Sequence, residues 1–256
     1  MSKHEQEILN TVSLRGTVSV HELSQILGVS DQTIRRIVKP MVARGEVKKL
    51  HGAIVSTRQA SDPPFLARMN LNRRAKVAIA RAITGLVKDG DSLAIDTGST
   101  SGFVAQTLQA RRNLTVVTNS AVVASTLSMI EGNRVFMAGT QLRDHDGAAF
   151  DRAAFATIER MHTDYTILSA SMVDPERGFL VHEQCEVDIA TAMKAIARRT
   201  IMAVDHSKFE PQARKPSLKQ PALGPEDIVV TDRRPPPEFD NLLAKTTLEI
   251  ANGEES

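Results

Sequence analysis

Ser19-Val20-His21-Glu22-Leu23-Ser24-Gln25-Ile26-Leu27-Gly28-Val29-Ser30-Asp31-Gln32-Thr33-Ile34-Arg35-Arg36-Ile37-Val38 reads as two helices and the turn between them. Ser19 caps the first, and Val20, Leu23, Ile26 and Leu27 repeat at helical spacing. Gly28 supplies the left-handed cap that ends it. Ser30 caps the second helix, with Asp31 in its first turn where the dipole favours an anion. Ile34, Ile37, Val38 and Met41 then fall at i, i+3, i+4 and i+7 and form a buried face. The opposite face holds Gln32, Arg36 and Lys39, with Arg35 on a flank. In the major groove Arg pairs bidentately with guanine and Gln with adenine, so this face carries recognition chemistry. A solvated basic face would carry the same charges. The paired caps, the preceding helix and the turn Gly28-Val29-Ser30 favour a DNA reader.

Upstream, Ile8, Leu9 and Val12 form one stripe of a helix over 4–13, ended by Gly16. Downstream, Gly45 ends the third helix and residues 46–50 alternate into a short hairpin. Lys48 and Lys49 stand where a wing would meet phosphates, contacts that position a protein without reading sequence. Pro40 predicts either a kink or an end near Val38 with a restart, because proline removes a helical hydrogen bond and clashes with the preceding turn. Charge supports the division of the chain. Residues 1–60 carry nine Lys/Arg against five acids, a net +4, whereas the other 196 residues carry 23 against 25, a net −2. A single cysteine, Cys185, excludes a disulfide framework and a tetrathiolate zinc site, and the seven histidines have no metal spacing. No metal or cofactor is expected. Neither a long apolar run nor a secretory signal is present, so a cytoplasmic protein that does not enter a membrane is expected.

Ser61-Asp62-Pro63-Pro64 breaks structure. A long helical stretch over 65–87 follows, whose Arg68, Arg73, Arg74 and Lys76 are expected to be solvated rather than to touch DNA. From residue 91 strands alternate with helices. The strands read at 92–96, 114–118, 134–138, 165–170, 200–205, 228–231 and 247–251; the helices read at 101–110, 120–130, 151–161, 184–198 and 237–244. That alternation predicts an α/β body with a mainly parallel sheet covered on both faces. Ligands of such sheets gather at the carboxyl ends of the strands. There the sequence places Asp96-Thr97-Gly98-Ser99-Thr100-Ser101, Thr118-Asn119-Ser120, Ser169-Ala170-Ser171 and Asp205-His206-Ser207-Lys208. Gly98 lets backbone approach a ligand closely. The unpaired N–H groups of the following helix, with the hydroxyls of Ser99, Thr100 and Ser101, form a phosphate cradle, or else a capped helix start. It lacks the lysine of a P-loop, so a nucleoside triphosphate is not indicated. Lys208 can offset phosphate charge and Asp96 and Asp205 can accept from hydroxyls. A phosphorylated polyhydroxylated small molecule fits that inventory.

Several motifs carry a family resemblance. Val18-Ser19-Val20-His21-Glu22-Leu23, the run Val29 to Arg36 and His51-Gly52-Ala53 resemble the N-terminal domain of the DeoR family of bacterial transcription regulators. Lys76-Val77-Ala78-Ile79-Ala80, Asp89-Gly90-Asp91, Asp96-Thr97-Gly98-Ser99-Thr100, Val117-Thr118-Asn119-Ser120 and Asp205-His206-Ser207-Lys208-Phe209 are similar to its sensor domain. The resemblance implies a winged helix-turn-helix domain followed by a Rossmann-like, ribose-5-phosphate-isomerase-like α/β domain that binds sugar phosphates. It places Ser30, Thr33 and His51 on the DNA-binding side and makes Glu186 a candidate ligand contact. The chain departs from the family at Ile37-Val38 and Pro40, at the shortened His51-Gly52-Ala53, at Ala138-Gly139-Thr140, and at Asp151, which either caps its helix or enters the pocket.

The expected organisation is a DNA-binding domain over 1–58, a linker and connecting helix over 59–90, and an effector-binding domain over 91–256. The expected function is a DNA-binding regulator, a repressor of carbohydrate genes, with double-stranded operator DNA and a sugar phosphate as partners and at least a dimer as its assembly. The alternative is an isomerase of sugar phosphates carrying a DNA-binding head, with Asp96, Asp205, Glu186 and Lys208 as acid and base. Cys185, Asp144-His145-Asp146 and Arg143 read as a plain helix residue, a solvated loop and an exposed side chain.

Overall fold

The computed structural model describes residues 2–15, 17–50, 53–56, 65–212 and 215–251. By packing, the chain divides into two compact units, Met1–Arg68 and Met69–Ser256. In the first, α1 (Lys3–Arg15), β1 (Thr17–Ser19), α2 (Val20–Leu27), α3 (Asp31–Ala43), β2 (Val47–Leu50) and β3 (Ala53–Ser56) follow in order. The strands form one antiparallel sheet, β1-β3-β2. Ser19 accepts from the Glu22 N–H, and the Glu22 carboxylate accepts from the Ser19 N–H, a reciprocal capping box at the start of α2. Gly28 ends α2 with φ 64°, and Ser30 accepts from the Thr33 N–H to open α3. Ile8, Val12, Leu23, Ile34, Val38, Met41, Val47 and Ile54 form the core of this unit. Ile26, expected on the buried stripe of α2, is 47% exposed, because it lies about 60–100° round the helix from Leu23 and Leu27. Pro40 neither ends nor restarts α3, which runs unbroken to Ala43, so the break expected near Val38 is absent. The helix stops in a left-handed turn at Gly45, where the Glu46 N–H donates to Met41 O.

The second unit begins within α4 (Phe65–Asn70) and continues with α5 (Arg73–Leu86). The single helix expected over 65–87 is thus two, separated by Asn72 in the left-handed region at φ 49°. Then come β4 (Ser92–Ile95), α6 (Ser99–Leu108), β5 (Thr115–Thr118), α7 (Ala121–Ser128), β6 (Arg134–Met137), α8 (Arg152–Ile158) and β7 (Thr163–Ser169). After β8 (Met172–Asp174) and β9 (Gly178–Val181) the chain forms α9 (Gln184–Ala195), β10 (Ala197–Ala203) and a 3-10 turn at His206–Phe209. It closes with β11 (Leu218–Lys219), β12 (Ile228–Thr231), a second 3-10 turn at Pro237–Phe239, α10 (Asp240–Leu243) and β13 (Thr247–Ile250). All seven expected strands join one parallel sheet in the order β13-β12-β10-β7-β4-β5-β6. Strand residues alternate between two apolar layers. Leu93, Ile95, Val116, Ile167 and Ile201 pack with α5, α6 and α7 on one face; Ala94, Val117, Leu168 and Met202 pack with α8, α9 and α10 on the other. The small antiparallel sheet β11-β9-β8 was not expected from the sequence.

The segment 69–90, expected to connect the domains, belongs to the body: Ile79, Ala80, Ile83 and Val87 are fully buried in its first apolar layer. Lys76, expected in solvent, is only 3% exposed and donates from Nζ to Leu71 O at 2.8 Å. Arg73 and Arg74 are exposed. No helix among the described residues is long and apolar enough to cross a membrane. Truncating Ile79 to alanine should therefore lower the stability of the body by about 2–5 kcal/mol, the cost of a core cavity. A chemical-denaturation midpoint unchanged by that substitution would mean that α5 is only a connector.

Candidate functional site

On the head, Gln32, Arg35, Arg36 and Lys39 all lie exposed on α3, and Lys48 and Lys49 lie exposed on β2. Ser30 and Thr33 are engaged with each other: Ser30 Oγ accepts from the Thr33 N–H at 3.2 Å, and the two hydroxyls meet at 2.9 Å. Both are therefore committed to the helix cap. His51 lies outside the described residues. Arg44 is occupied by Glu5 at 2.7 Å and Glu46 at 2.8 Å, which ties α1 to the end of α3.

In the body, β5 and β6 lie to one side of β4 and β7, β10, β12 and β13 to the other. The strand order thus reverses between β4 and β7, and such a point opens a crevice at the carboxyl ends of the strands. Asp96 sits there, only 7% exposed. Its Oδ2 accepts from the Ser169 N–H at 2.8 Å and the Ser169 hydroxyl at 3.3 Å, and its Oδ1 accepts from the Ser101 hydroxyl. Burial pushes its carboxyl up to about 7, with the nearby Glu186 charge acting in the same direction and the Ser101 and Ser169 donors opposing. Helix α6 starts two residues earlier than expected, at Ser99, so Ser99, Thr100 and Ser101 form its first turn. Its cap position is Gly98, and no side chain caps it. The first N–H groups of α6 are thus free of helical partners and lie at the carboxyl end of β4. A Cβ on Gly98 would run into Ser169 Oγ. The glycine therefore seats α6 against β7, besides exposing backbone.

The other candidates divide by what they already bond. Thr118 Oγ1 accepts from the Ser120 N–H at 3.1 Å, and Ser120 Oγ accepts from the Val123 N–H to cap α7. Asn119 donates from Nδ2 to Ala149 O at 3.1 Å, while its Oδ1 is buried without a partner. Asp205, 1% exposed, caps the 3-10 turn through Oδ1, and its Oδ2 is buried without a partner. Thr97 Oγ1 is in the same condition. Lys208 is half-buried in that 3-10 turn. Glu186 completes a capping box on α9, accepting from the His182 and Glu183 N–H groups.

Asp151 caps α8 and holds the preceding loop. Its Oδ1 accepts from the Ala154 N–H; its Oδ2 accepts from the Thr140 N–H, the Thr140 hydroxyl and the Gln141 N–H. These donors hold its carboxyl far below the usual range. Arg143 is not the exposed side chain expected. It binds Asp146 and Glu183, the latter at 2.7 Å, and stacks 3.9 Å from the centroid of Phe150. Asp146, expected in a solvated loop, is buried against it. Beside them, burial pushes the Cys185 thiol up to about 11, so it stays protonated. Sequence reasoning missed Asn72 and Gln220. Asn72 reaches Asp205 and Ser207, and Gln220 donates to Ser169 O at 2.8 Å. Neither stands in a motif; only long-range packing brings them here.

Residues 5–60 match the DeoR-like helix-turn-helix domain, and residues 71–233 match the DeoR C terminal sensor domain. The chain belongs to the DeoR family. Over 90% of each chain it is 32% identical to the glycerol-3-phosphate regulon repressor of Escherichia coli (strain K12). It is 29% identical to the transcriptional repressor AccR of Agrobacterium fabrum, over 84% of this chain and 83% of that one. It is 26% identical to the HTH-type transcriptional repressor CsqR of Escherichia coli (strain K12), over 97% and 94%. Among solved structures, ribose 5-phosphate isomerase A from Methanocaldococcus jannaschii aligns with 54% of each chain at a TM-score of 0.40 and 16% identity. This DeoR-family chain is a DNA-binding transcription regulator with a sensor domain, so the isomerase alternative is set aside.

The raised carboxyl of Asp96 has a consequence for stability. The folded state holds this proton more tightly than the unfolded chain, whose carboxyl titrates at 3.8. Its contribution is therefore full below about pH 4 and is lost as pH rises through about 7. Asp96→Asn cannot titrate. Urea denaturation at pH 5, 6, 7 and 8 should find the variant gaining on the wild type as pH rises and the gap levelling above about pH 7. A constant offset across that range would contradict the assignment.

Proposed function

We infer that this regulator is a cytoplasmic repressor whose operator binding is controlled by a phosphorylated sugar or polyol held at the carboxyl edge between β4 and β7. The observation that carries the reading is the start of α6 beside Asp96, which no side chain caps, with unpartnered acceptors nearby in sequence and at the same edge of the sheet. The N–H groups of Ser99, Thr100 and Ser101 suit a phosphate, and Lys208 suits its second charge. Asn119 Oδ1 and Asp205 Oδ2 are acceptors, and a buried acceptor left unpaired costs roughly 1–3 kcal/mol. Hydroxyl groups of the ligand would satisfy them. The names of the relatives point the same way, since one is the repressor of a glycerol-3-phosphate regulon.

On DNA, Gln32, Arg35, Arg36 and Lys39 would enter the major groove and Lys48 and Lys49 would meet phosphates; the family resemblance adds His51 as a further DNA contact. Ser30 and Thr33 would set the position of α3 rather than read bases. One such head offers a small interface, so the body would hold at least two chains together for paired half-sites. The effector shifts that assembly only if it binds the operator-free state with different affinity.

The effector reading is tested by thermal shift of the full chain against glycerol 3-phosphate, ribose 5-phosphate, fructose 6-phosphate and their unphosphorylated parents. A phosphorylated compound should raise the melting temperature and its parent should not. Thr100→Ala should weaken that shift modestly and Lys208→Ala more, while both keep full operator affinity without ligand. Equal shifts by parent and phosphate would defeat the phosphate assignment.

The DNA reading uses a duplex selected from a random library by the full chain. Arg36→Ala and Gln32→Ala should each cost about 1–3 kcal/mol and relax preference at one base position. Lys48→Ala or Lys49→Ala should weaken all duplexes alike and reduce the salt slope by about one unit. Base preference that moves with the lysines and not with α3 reverses the docking.

A further inference from the structure

The turn that joins α4 to α5 is fastened to the same edge of the sheet that carries the candidate effector site. Asn72 takes φ 49° and ψ 37°, a left-handed conformation that costs most L-residues about 1–2 kcal/mol and that asparagine tolerates better. Its side chain does not cap α5. It reaches across 133 residues of sequence instead, donating from Nδ2 to Asp205 Oδ1 at 3.0 Å and to Ser207 Oγ at 2.9 Å. Ser207 Oγ in turn donates to Asp205 Oδ1 at 2.6 Å. Lys76 Nζ binds Leu71 O on the other side of the turn. The carboxylate of Asp205 is divided in its duties: Oδ1 accepts from Asn72 and from the Ser207 N–H and hydroxyl, whereas Oδ2 is buried without a partner. Along the chain, the body begins at Met69, so Asn72 lies three residues inside it and is tied to residues more than 130 positions away.

We propose that Asn72 is a positioning residue that couples effector binding at Asp205 to the segment leading to the DNA head. The proposal rests on the effector site inferred above. An effector hydroxyl that donates to Oδ2 draws the carboxylate's charge toward itself and away from Oδ1. The hold of Oδ1 on Asn72 then weakens, and the left-handed turn is held less firmly, relying more on the bond to Ser207 Oγ. Ligand occupancy is thereby converted into freedom at residues 69–76, where the body starts. The conversion needs no contact between the effector and the head, only a difference in how firmly the two states of the turn are held.

Asn72→Gly separates this role from a backbone role, because glycine takes the same φ without strain and lacks the amide. The full chain, wild type and variant, is melted with and without glycerol 3-phosphate and with and without inorganic phosphate, and its affinity for the selected duplex is measured under the same conditions. The variant should keep the ligand-induced rise in melting temperature. Its ratio of operator affinities without and with ligand, on the order of 5- to 150-fold for coupled sites, should fall to about one. A variant ratio equal to the wild type's overturns the proposal. So does a wild-type ratio of one in the presence of a measurable melting shift. Loss of the melting shift in Asn72→Gly also overturns it, because Asn72 would then serve binding itself. If neither these probes nor ribose 5-phosphate or fructose 6-phosphate shifts the wild type, the effector-site reading fails separately, and hydrogen exchange of the free chain decides the tether. Ser207→Ala, 135 residues away in sequence, should then speed exchange of the amides of 69–76 several-fold, and unchanged exchange there refutes the coupling.

Discussion

Between β4 and β7 the strand order reverses, and the carboxylate of Asp96 links the ends of these two parallel strands. The chain runs from Asp96 straight into α6, while Ser169 ends β7. Ser101 from the first turn of α6 and the N–H and hydroxyl of Ser169 converge on one buried acid. Burying a carboxylate is costly unless donors meet it, and here three do. The link extends further, because Ser169 O accepts from Gln220, whose own N–H donates to Phe179 O. Helix α6, strand β7 and the small β8-β9-β11 sheet are thereby held in one arrangement.

Polar atoms at that edge fall into two groups with different consequences. Ser120, Glu186, Asp151 and the Oδ1 of Asp205 satisfy helix or turn starts, so they make the edge rigid. Asn119 Oδ1, Asp205 Oδ2 and Thr97 Oγ1 are buried without partners, and they are the atoms on which the proposed effector site draws. The loop between β6 and α8 belongs to the rigid group. Asp151 gathers its first residues through the Thr140 and Gln141 N–H groups, and Arg143 ties its middle to Glu183 at the start of α9. Of the two roles open to Asp151, the structure shows the helix cap, together with a hold on the preceding loop.

The head obeys the same logic with fewer parts. Its apolar face is filled by Ile34, Val38 and Met41, and its caps are local, so α3 presents Gln32, Arg35, Arg36 and Lys39 on a defined side. Proline in the last turns of α3 is accommodated on an exposed face, four residues after the equally exposed Arg36 whose carbonyl loses its helical donor.

Much of this was legible in the sequence because it is local. Period-two and 3.6-residue patterns located all seven strands of the parallel sheet and the recognition helix, and Ser19, Gly28 and Ser30 marked helix ends through contacts a few residues away. The turn that separates α4 from α5 was not legible. Asn72 interrupts a helical run where Asp205 and Ser207 hold its side chain, and a partner more than 130 residues away leaves no mark on the periodicity. Arg143 and Asp146 were misread for the same reason: a charged loop looks solvated until Glu183 and Phe150 close over it. So was the inclusion of α5 in the body, since an amphipathic helix has one apolar face whichever domain it covers. Sequence determined the elements and the chemistry available at their ends. Which of those polar atoms remain unpaired was decided only by tertiary structure, because hydrogen-bond satisfaction depends on neighbours that the chain brings together by folding.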